Sequence, residues 1–253
     1  MGRKRVAAQA LEYLLTLPDV HVVGVLTDSH FAFSPTTDVA KRHAIPLYEF
    51  SAALTALKEG TLAFDLGVSM LYWRKLREEF LLTPSRGAIN FHPAPLPEYK
   101  GTGGYNLAIL ERKNTWAASA HYMDHEIDTG GIIKVSEFPI DAERETAQSL
   151  EQKTQPVLYA LFKEVFDAAR LSKERLVTVS NIGGRYVSRA EMEAMKEIKS
   201  SDDIPRKIRA FWFPPYDGAY QLIGNRKFTL VDRFILEQLA DPSMSSLFME
   251  NKC

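Results

Sequence analysis

Between residues 20 and 140 the apolar positions fall in short runs, separated by stretches with helical spacing. VHVVGVLTD (20–28) is β-branched and apolar, bounded by Pro18 and Asp28, and predicts a buried strand. DVAKRHAI (38–45) predicts a short helix that delivers Ile45-Pro46-Leu47 into the next strand. FDLGVSML (64–71) predicts a strand, and WRKLREEFLL (73–82) a helix with Trp73, Leu76, Phe80 and Leu81 on its apolar face. GAINFH (87–92) reads as a strand, GYNLAILER (104–112) as a helix, and 116–123 and 131–138 as strands. A helix over about 145–171 closes this part, with Leu150, Val157, Leu158, Leu161, Val165 and Ala168 as its inward stripe. Strands alternating with helices define an α/β layered fold.

Past residue 172 the pattern changes. KERLVTVSNIGGRYVSRAEM carries turn signals, and IRAFWFPPYDGAYQLIGNRKFTLVD (208–232) is rich in aromatics and β-formers. GNRK between two such runs predicts a β-hairpin. The expected division is a catalytic domain over 1–171 and a small C-terminal appendage over 172–253.

Composition narrows the function classes. The 253 residues are 45% hydrophobic and 25% charged, as in an ordinary globular protein. No apolar run reaches bilayer-spanning length and no secretory signal peptide is visible, so no membrane association is expected and the expected location is cytoplasmic. The one cysteine, Cys253, excludes a disulfide framework or a cysteine metal site, and no metal is expected. With 31 Lys+Arg against 32 Asp+Glu, the net charge of −1 argues against an extended nucleic-acid footprint.

Two segments carry the candidate chemistry. AINFHPAPLPEYKG (88–101) brings Asn90 and His92 to the end of an apolar strand before a proline-rich turn. HYMDHEIDTGGII (121–133) places Asp128 in a glycine-bounded loop after another strand. An amide, an imidazole and a carboxylate converging from two strand ends can stabilise an oxyanion and move a proton. Taken singly, each is more often a turn or loop-capping residue than a catalytic one; two motifs in register make coincidence a poor explanation. His121 reads as a structural histidine on its strand and His125 as a solvated loop residue. KGTGGYNL (100–107) sets Lys100 and a glycine-rich turn before a helix, which suits either an anion or a plain connection capped by Thr102.

The two motifs, in this order and at this distance, resemble the N10-formyltetrahydrofolate-dependent formyltransferase family, whose pattern is Asn-x-His-x-(Ser/Pro)-x-Leu-Pro-x-(Tyr/Phe)-(Lys/Arg)-Gly with a later Asp-(Thr/Ala)-Gly. The resemblance implies a Rossmann-like core with a mostly parallel sheet. It also implies formyl transfer from N10-formyltetrahydrofolate as co-substrate, with Asn90, His92 and Asp128 in the catalytic roles. It places Met70, Leu71 and Tyr72 on one side of the folate pocket, with Asp124, His125 and Ile127 opposite. Acceptor contacts are implied along the loop holding Lys100, Thr102, Gly103 and Tyr105. In that family the helix matching residues 2–15 follows a strand in the middle of the sheet, so either the true start lies upstream of Met1, the favoured expectation, or this sheet is built without that strand.

Family members formylate glycinamide ribonucleotide, initiator methionyl-tRNA or nucleotide-linked amino sugars. The FWFPPYDGAY run (211–220) makes the chain most similar to the sugar N-formyltransferases. Trp212, Phe213 and Tyr216 there either stack a nucleotide base or pack the hairpin, and the two readings weigh evenly. The expected acceptor is therefore a nucleotide-linked amino sugar. The alternatives are a methionyl-tRNA formyltransferase, whose tRNA-binding barrel looks longer than this C-terminal segment, and a catalytically inactive folate-binding homologue. A homodimer stands as an open assembly state.

Overall fold

A computed structural model describes residues 1–27 and 34–239. Asp28, the end of the predicted first strand, lies outside the described residues. The central sheet has the order β1-β2-β4-β5, with β1 Gly67–Met70, β2 Ala88–His92, β4 Thr115–Tyr122 and β5 Ile132–Pro139. β1 and β2 run parallel, while β4 pairs antiparallel with both β2 and β5. A short strand β3 (Tyr99–Gly101) leaves the sheet and pairs in parallel with β6 (Arg185–Val187). Helix α1 (Lys4–Leu15) and the long helix α6 (Ala147–Leu171) cover one face of the sheet. The result is a Rossmann-like α/β core with a small β-hairpin after it.

Strand parity divides the sheet chemically. On β2, Ile89 and Phe91 point into the apolar core with Ala118, Ala120 and Tyr122 of β4. Asn90 and His92 alternate to the opposite face, where their cross-strand partners are His121 and Ser119. The core behind them is dominated by Phe162 of α6, fully buried and in ring contact with Tyr13, Phe91, Tyr159 and Phe166. Phe162→Ala is expected to cost about 3–5 kcal/mol, measured by urea unfolding, because four rings would lose a common partner.

Over its described residues, 20–27, the predicted strand does not form as a regular strand. Its only ladder contact is an isolated parallel bridge between Val25 and Leu47. Between residues 20–26 and β1 lies a cleft of about 660 Å³, lined by Val22, Val23, Leu66, Val68, Ala10 and Phe166 among others. Residues 1–3 reach across it: Gly2 N donates to Leu26 O at 3.0 Å, Met70 N donates to Met1 O at 3.0 Å, and Arg3 N donates to Met70 O at 3.2 Å. An apolar segment with no continuous neighbour cannot complete a ladder, which is why β-propensity fails here.

Further differences have local causes. The helix expected over 73–82 is confined to α4 (Glu78–Leu82), and Trp73 is 47% exposed. Arg74 lies over the rings of Phe50 and Trp73, and Lys75 pairs with Glu126, so 73–77 runs as a loop. The predicted helix at 38–45 is α2 (Pro35–Arg42), started by Pro35 with Ser34 accepting from Thr37 N. Helices α3 (Phe50–Lys58), α5 (Gly104–Leu110) and α7 (Arg189–Ala194) complete the series up to the C-terminal segment. There, α8 (Ile204–Phe211) takes up residues that read as β-formers. The hairpin follows as β7 (Tyr220–Ile223) and β8 (Arg226–Thr229), closed by Gly224 at φ +59 in a two-residue turn. A last helix, α9 (Arg233–Leu239), ends the described chain, and its Ile235 packs with Phe211 against Ile109 of α5.

Candidate active site

Asp128 is the hub. Its Oδ2 accepts from Gly101 N at 2.9 Å and lies 3.4 Å from His92 Nδ1. Its Oδ1 accepts from Asn90 Nδ2 at 3.3 Å and lies 3.3 Å from His121 Nε2. Burial alone would raise the carboxyl pKa. His92, His121 and the Gly101 N–H together outweigh it and hold Asp128 well below the usual carboxylate range. The residue is only 7% exposed, so water screens these contacts little. Its backbone stands at φ +57, a left-handed conformation that Asp tolerates better than most residues.

The hydrogen-bond pattern constrains the protons. His121 Nδ1 lies 2.7 Å from Tyr122 O, so Nδ1 carries hydrogen. Nε2 then accepts from Asn90 Nδ2 at 3.1 Å when the ring is neutral, and donates to Asp128 when it is charged. His92 Nε2 donates to Tyr99 O at 2.8 Å, while its Nδ1 faces Asp128. Both His92 nitrogens thus meet oxygen acceptors, an arrangement that an imidazolium satisfies completely. Both amide hydrogens of Asn90 are directed to Asp128 and His121, so an incoming oxyanion would take over the longer of these bonds.

The loop above the sheet is pinned from below and from the side. Ser119 Oγ donates to Ala94 O at 2.7 Å and accepts from Leu96 N at 3.0 Å. Thr102 N donates to Val187 O at 2.8 Å and Arg185 N donates to Glu98 O at 2.8 Å. Gly184 packs on this loop at φ +74, and a Cβ there would lie 1.6 Å from Pro97 O. Gly184→Ala is expected to cost at least about 1–3 kcal/mol, read as a lowered Tm, from backbone strain together with the clash.

The other predicted residues divide. Leu71 (φ +55) and Tyr72 follow β1; Leu71 packs on the apolar core behind the sheet and Tyr72 on the cluster of Leu26, Leu76 and Phe80. Asp124, His125 and Ile127 form the exposed loop leading to Asp128, where His125 N donates to Asp124 Oδ1 at 2.6 Å. Lys75 and Glu126 tie these two loops together at 3.2 Å. Met70 is different: it is buried in the apolar core and does not face the loops.

Lys100 also departs from expectation. Its ammonium is buried and donates to Asn181 O and Gly183 O at 2.9 and 2.8 Å, so it holds backbone and is not presented to an anion. Thr102 does not cap α5; Gly103 does, at φ +82, and Thr102 Oγ1 donates to Val187 O. Tyr105 is half-buried beside Trp116, and burial pushes its phenol well above the ordinary value. Trp212 and Phe213 pack on the Ile109–Phe211 cluster, with Lys4 over the Phe213 ring, whereas Tyr216 is 57% exposed. Sequence reasoning set His121 aside as structural; its strand parity with Asn90 is the signal that would have placed it in the site. Among the described residues, no cluster of three or more His, Cys, Asp or Glu could hold a metal ion.

Residues 15–166 match the family model described as formyl transferase, and the chain belongs to that family. Its curated relatives include methionyl-tRNA formyltransferases. That of Pseudothermotoga lettingae is 28% identical over 161 residues, 60% of this chain and 52% of the relative. That of Methylacidiphilum infernorum is 26% identical over 215 residues, 82% of this chain and 66% of the relative. The chain therefore spans between half and two thirds of the length of these two relatives. Among solved structures, a 4-N formyltransferase from Francisella tularensis superposes with TM-score 0.72 at 22% identity, covering 90% of this chain and 93% of that one. An N-formyltransferase from Helicobacter canadensis, in complex with folinic acid and dTDP-3-aminofucose, gives 0.69 at 24%, covering 89% and 83%. Likeness at these identities is a likeness of fold.

Proposed function

We propose that this protein moves a formyl group from N10-formyltetrahydrofolate to the amine of a nucleotide-linked amino sugar. The observation that carries the reading is the convergence of Asn90, His92 and Asp128 where β2 ends, with His92 and Asp128 buried and Asn90 partly exposed. The donor supplies an activated formyl carbon. The amine nitrogen bonds to that carbon, the carbon's bond to N10 breaks, and the proton lost by the amine replaces the formyl group on N10. The chain's own residues serve this exchange. The Asn90 amide and the His92 imidazole oppose the negative charge that develops on the formyl oxygen. Asp128 keeps His92 oriented, and the amine proton is relayed through water to N10. Tyr72 and the 124–127 loop would hold the folate ring system, joined as they are by the Lys75–Glu126 pair beside Asp128. The division into a catalytic part over 1–171 and an appendage over 172–253 belongs to the same proposal.

The nucleotide-sugar acceptor is supported by the fold neighbours, whose names include sugar N-formyltransferases, and by the near-neutral charge. The test offers formyl donor with a panel of nucleoside-diphosphate amino sugars, and in parallel with methionyl-tRNA, at two salt concentrations. Formylation of a sugar nucleotide, with little dependence on salt, is the expected result. A tRNA acceptor engages many phosphates, so its binding would weaken steeply as salt rises. Transfer to methionyl-tRNA with none to any sugar would overturn the acceptor assignment.

A further inference from the structure

The segment 177–186 is exposed almost throughout, with Val177 at 90%, Val179 at 65% and Ile182 at 87%. Asn181 is the exception, at 7%. Its Nδ2 donates to Asp128 O at 3.0 Å and to Gly130 O at 2.8 Å. Because both partners are carbonyls, the amide orientation follows from the network. The backbone carrying Asn181 is itself held, since Lys100 Nζ donates to the carbonyls of Asn181 and Gly183. The Asn181 Oδ1 is buried without a protein partner, a cost that the grip of the nitrogen must outweigh. Gly130 leaves the turn no slack, for a Cβ there would lie 2.0 Å from Tyr122 O.

We propose that Asn181 is a positioning residue: by gripping the carbonyls of Asp128 and Gly130, from a backbone clamped by Lys100, it fixes the left-handed turn that aims the Asp128 carboxylate at His92 and Asn90. The catalytic consequence rests on the function proposed above; the geometric one does not. Asn181 touches none of the reacting groups and acts only through Asp128. Lys100 holds the strand β3 that also supplies Gly101 N to Asp128, so a single ammonium joins both of the carboxylate's supports.

The experiment is Asn181→Ala in the full chain, read two ways. Carbon-13 NMR of the Asp carboxyl groups follows the Asp128 titration, which is expected to move upward toward the ordinary carboxylate range as its contacts loosen. Formyl transfer is expected to lose kcat by on the order of 100-fold, as misplacement of a reacting group does, with the KM for formyl donor unchanged. An unmoved Asp128 titration with only a lowered Tm, or a raised donor KM at constant kcat, overturns the proposal. Should Asn181→Ala fail to fold, Lys100→Met is expected to move Asp128 in the same direction by a smaller amount, and an unmoved carboxyl there overturns it equally. The NMR readout needs no acceptor. If Asp128 moves while the wild-type protein formylates nothing, the positioning role stands and the assigned reaction falls.

Discussion

His92→Ala and Asn90→Ala are each expected to lower kcat by about 100- to 1,000-fold while leaving the far-UV circular dichroism unchanged. The expected loss is large because in the proposed reaction each side chain would meet charge that forms only during transfer. Stability should change less, because both side chains lie on the face of β2 opposite the Ile89–Phe91 core. Asn90→Ala removes a donor from Asp128 and from His121 together, so its structural cost should exceed that of an exposed substitution. Single-turnover measurement separates chemistry from release. Wild-type turnover by either variant would remove that residue from the catalytic role.

Asp128→Asn keeps the shape of the side chain and removes its charge. Transfer is expected to fall by about 100- to 10,000-fold, because His92 loses the carboxylate that orients it and the water relay loses its anchor. The same variant tests the electrostatics through pH. The folded carboxyl titrates below its unfolded value, so the native state binds fewer protons than the unfolded state between those two values. Its contribution to stability is therefore present above the ordinary carboxylate range and is lost as pH falls through that range toward the folded value. Urea unfolding at neutral pH and near pH 3 should show the gap between wild type and Asp128→Asn narrowing in acid. A gap of constant size would mean that the charge does not stabilise the fold.

Much of this was legible in the residues themselves. The strand AINFH alternates apolar and polar positions, and that alternation alone puts Asn90 and His92 on a common face. The glycine-bounded turn at Asp128 likewise announced a carboxylate outside regular structure. Three features resisted. The 20–28 segment has every local mark of a strand, but a strand exists only where neighbours accept its hydrogen bonds. His121 looked structural because its partners, Asn90 and Asp128, come from other segments. Lys100 looked like an anion ligand because a helix start and a cation stand together. Its true partners, the carbonyls of Asn181 and Gly183, lie more than eighty positions away and carry no side-chain signature.

The pairing of β3 with β6 has a consequence in time. Thr102 and Val187 are bonded across 85 positions of sequence. At ordinary rates of synthesis, roughly 5–20 residues per second, the ribosome finishes the Asn-x-His loop several seconds or more before it makes the strand that fastens it. During that interval the loop after β2 lacks its partner strand, and the carboxylate of Asp128 still lacks the grip of Asn181. Assembly of this cluster is thus a late event in the chain's own birth, and a chain stalled before residue 181 would present both motifs without Asn181 to join them.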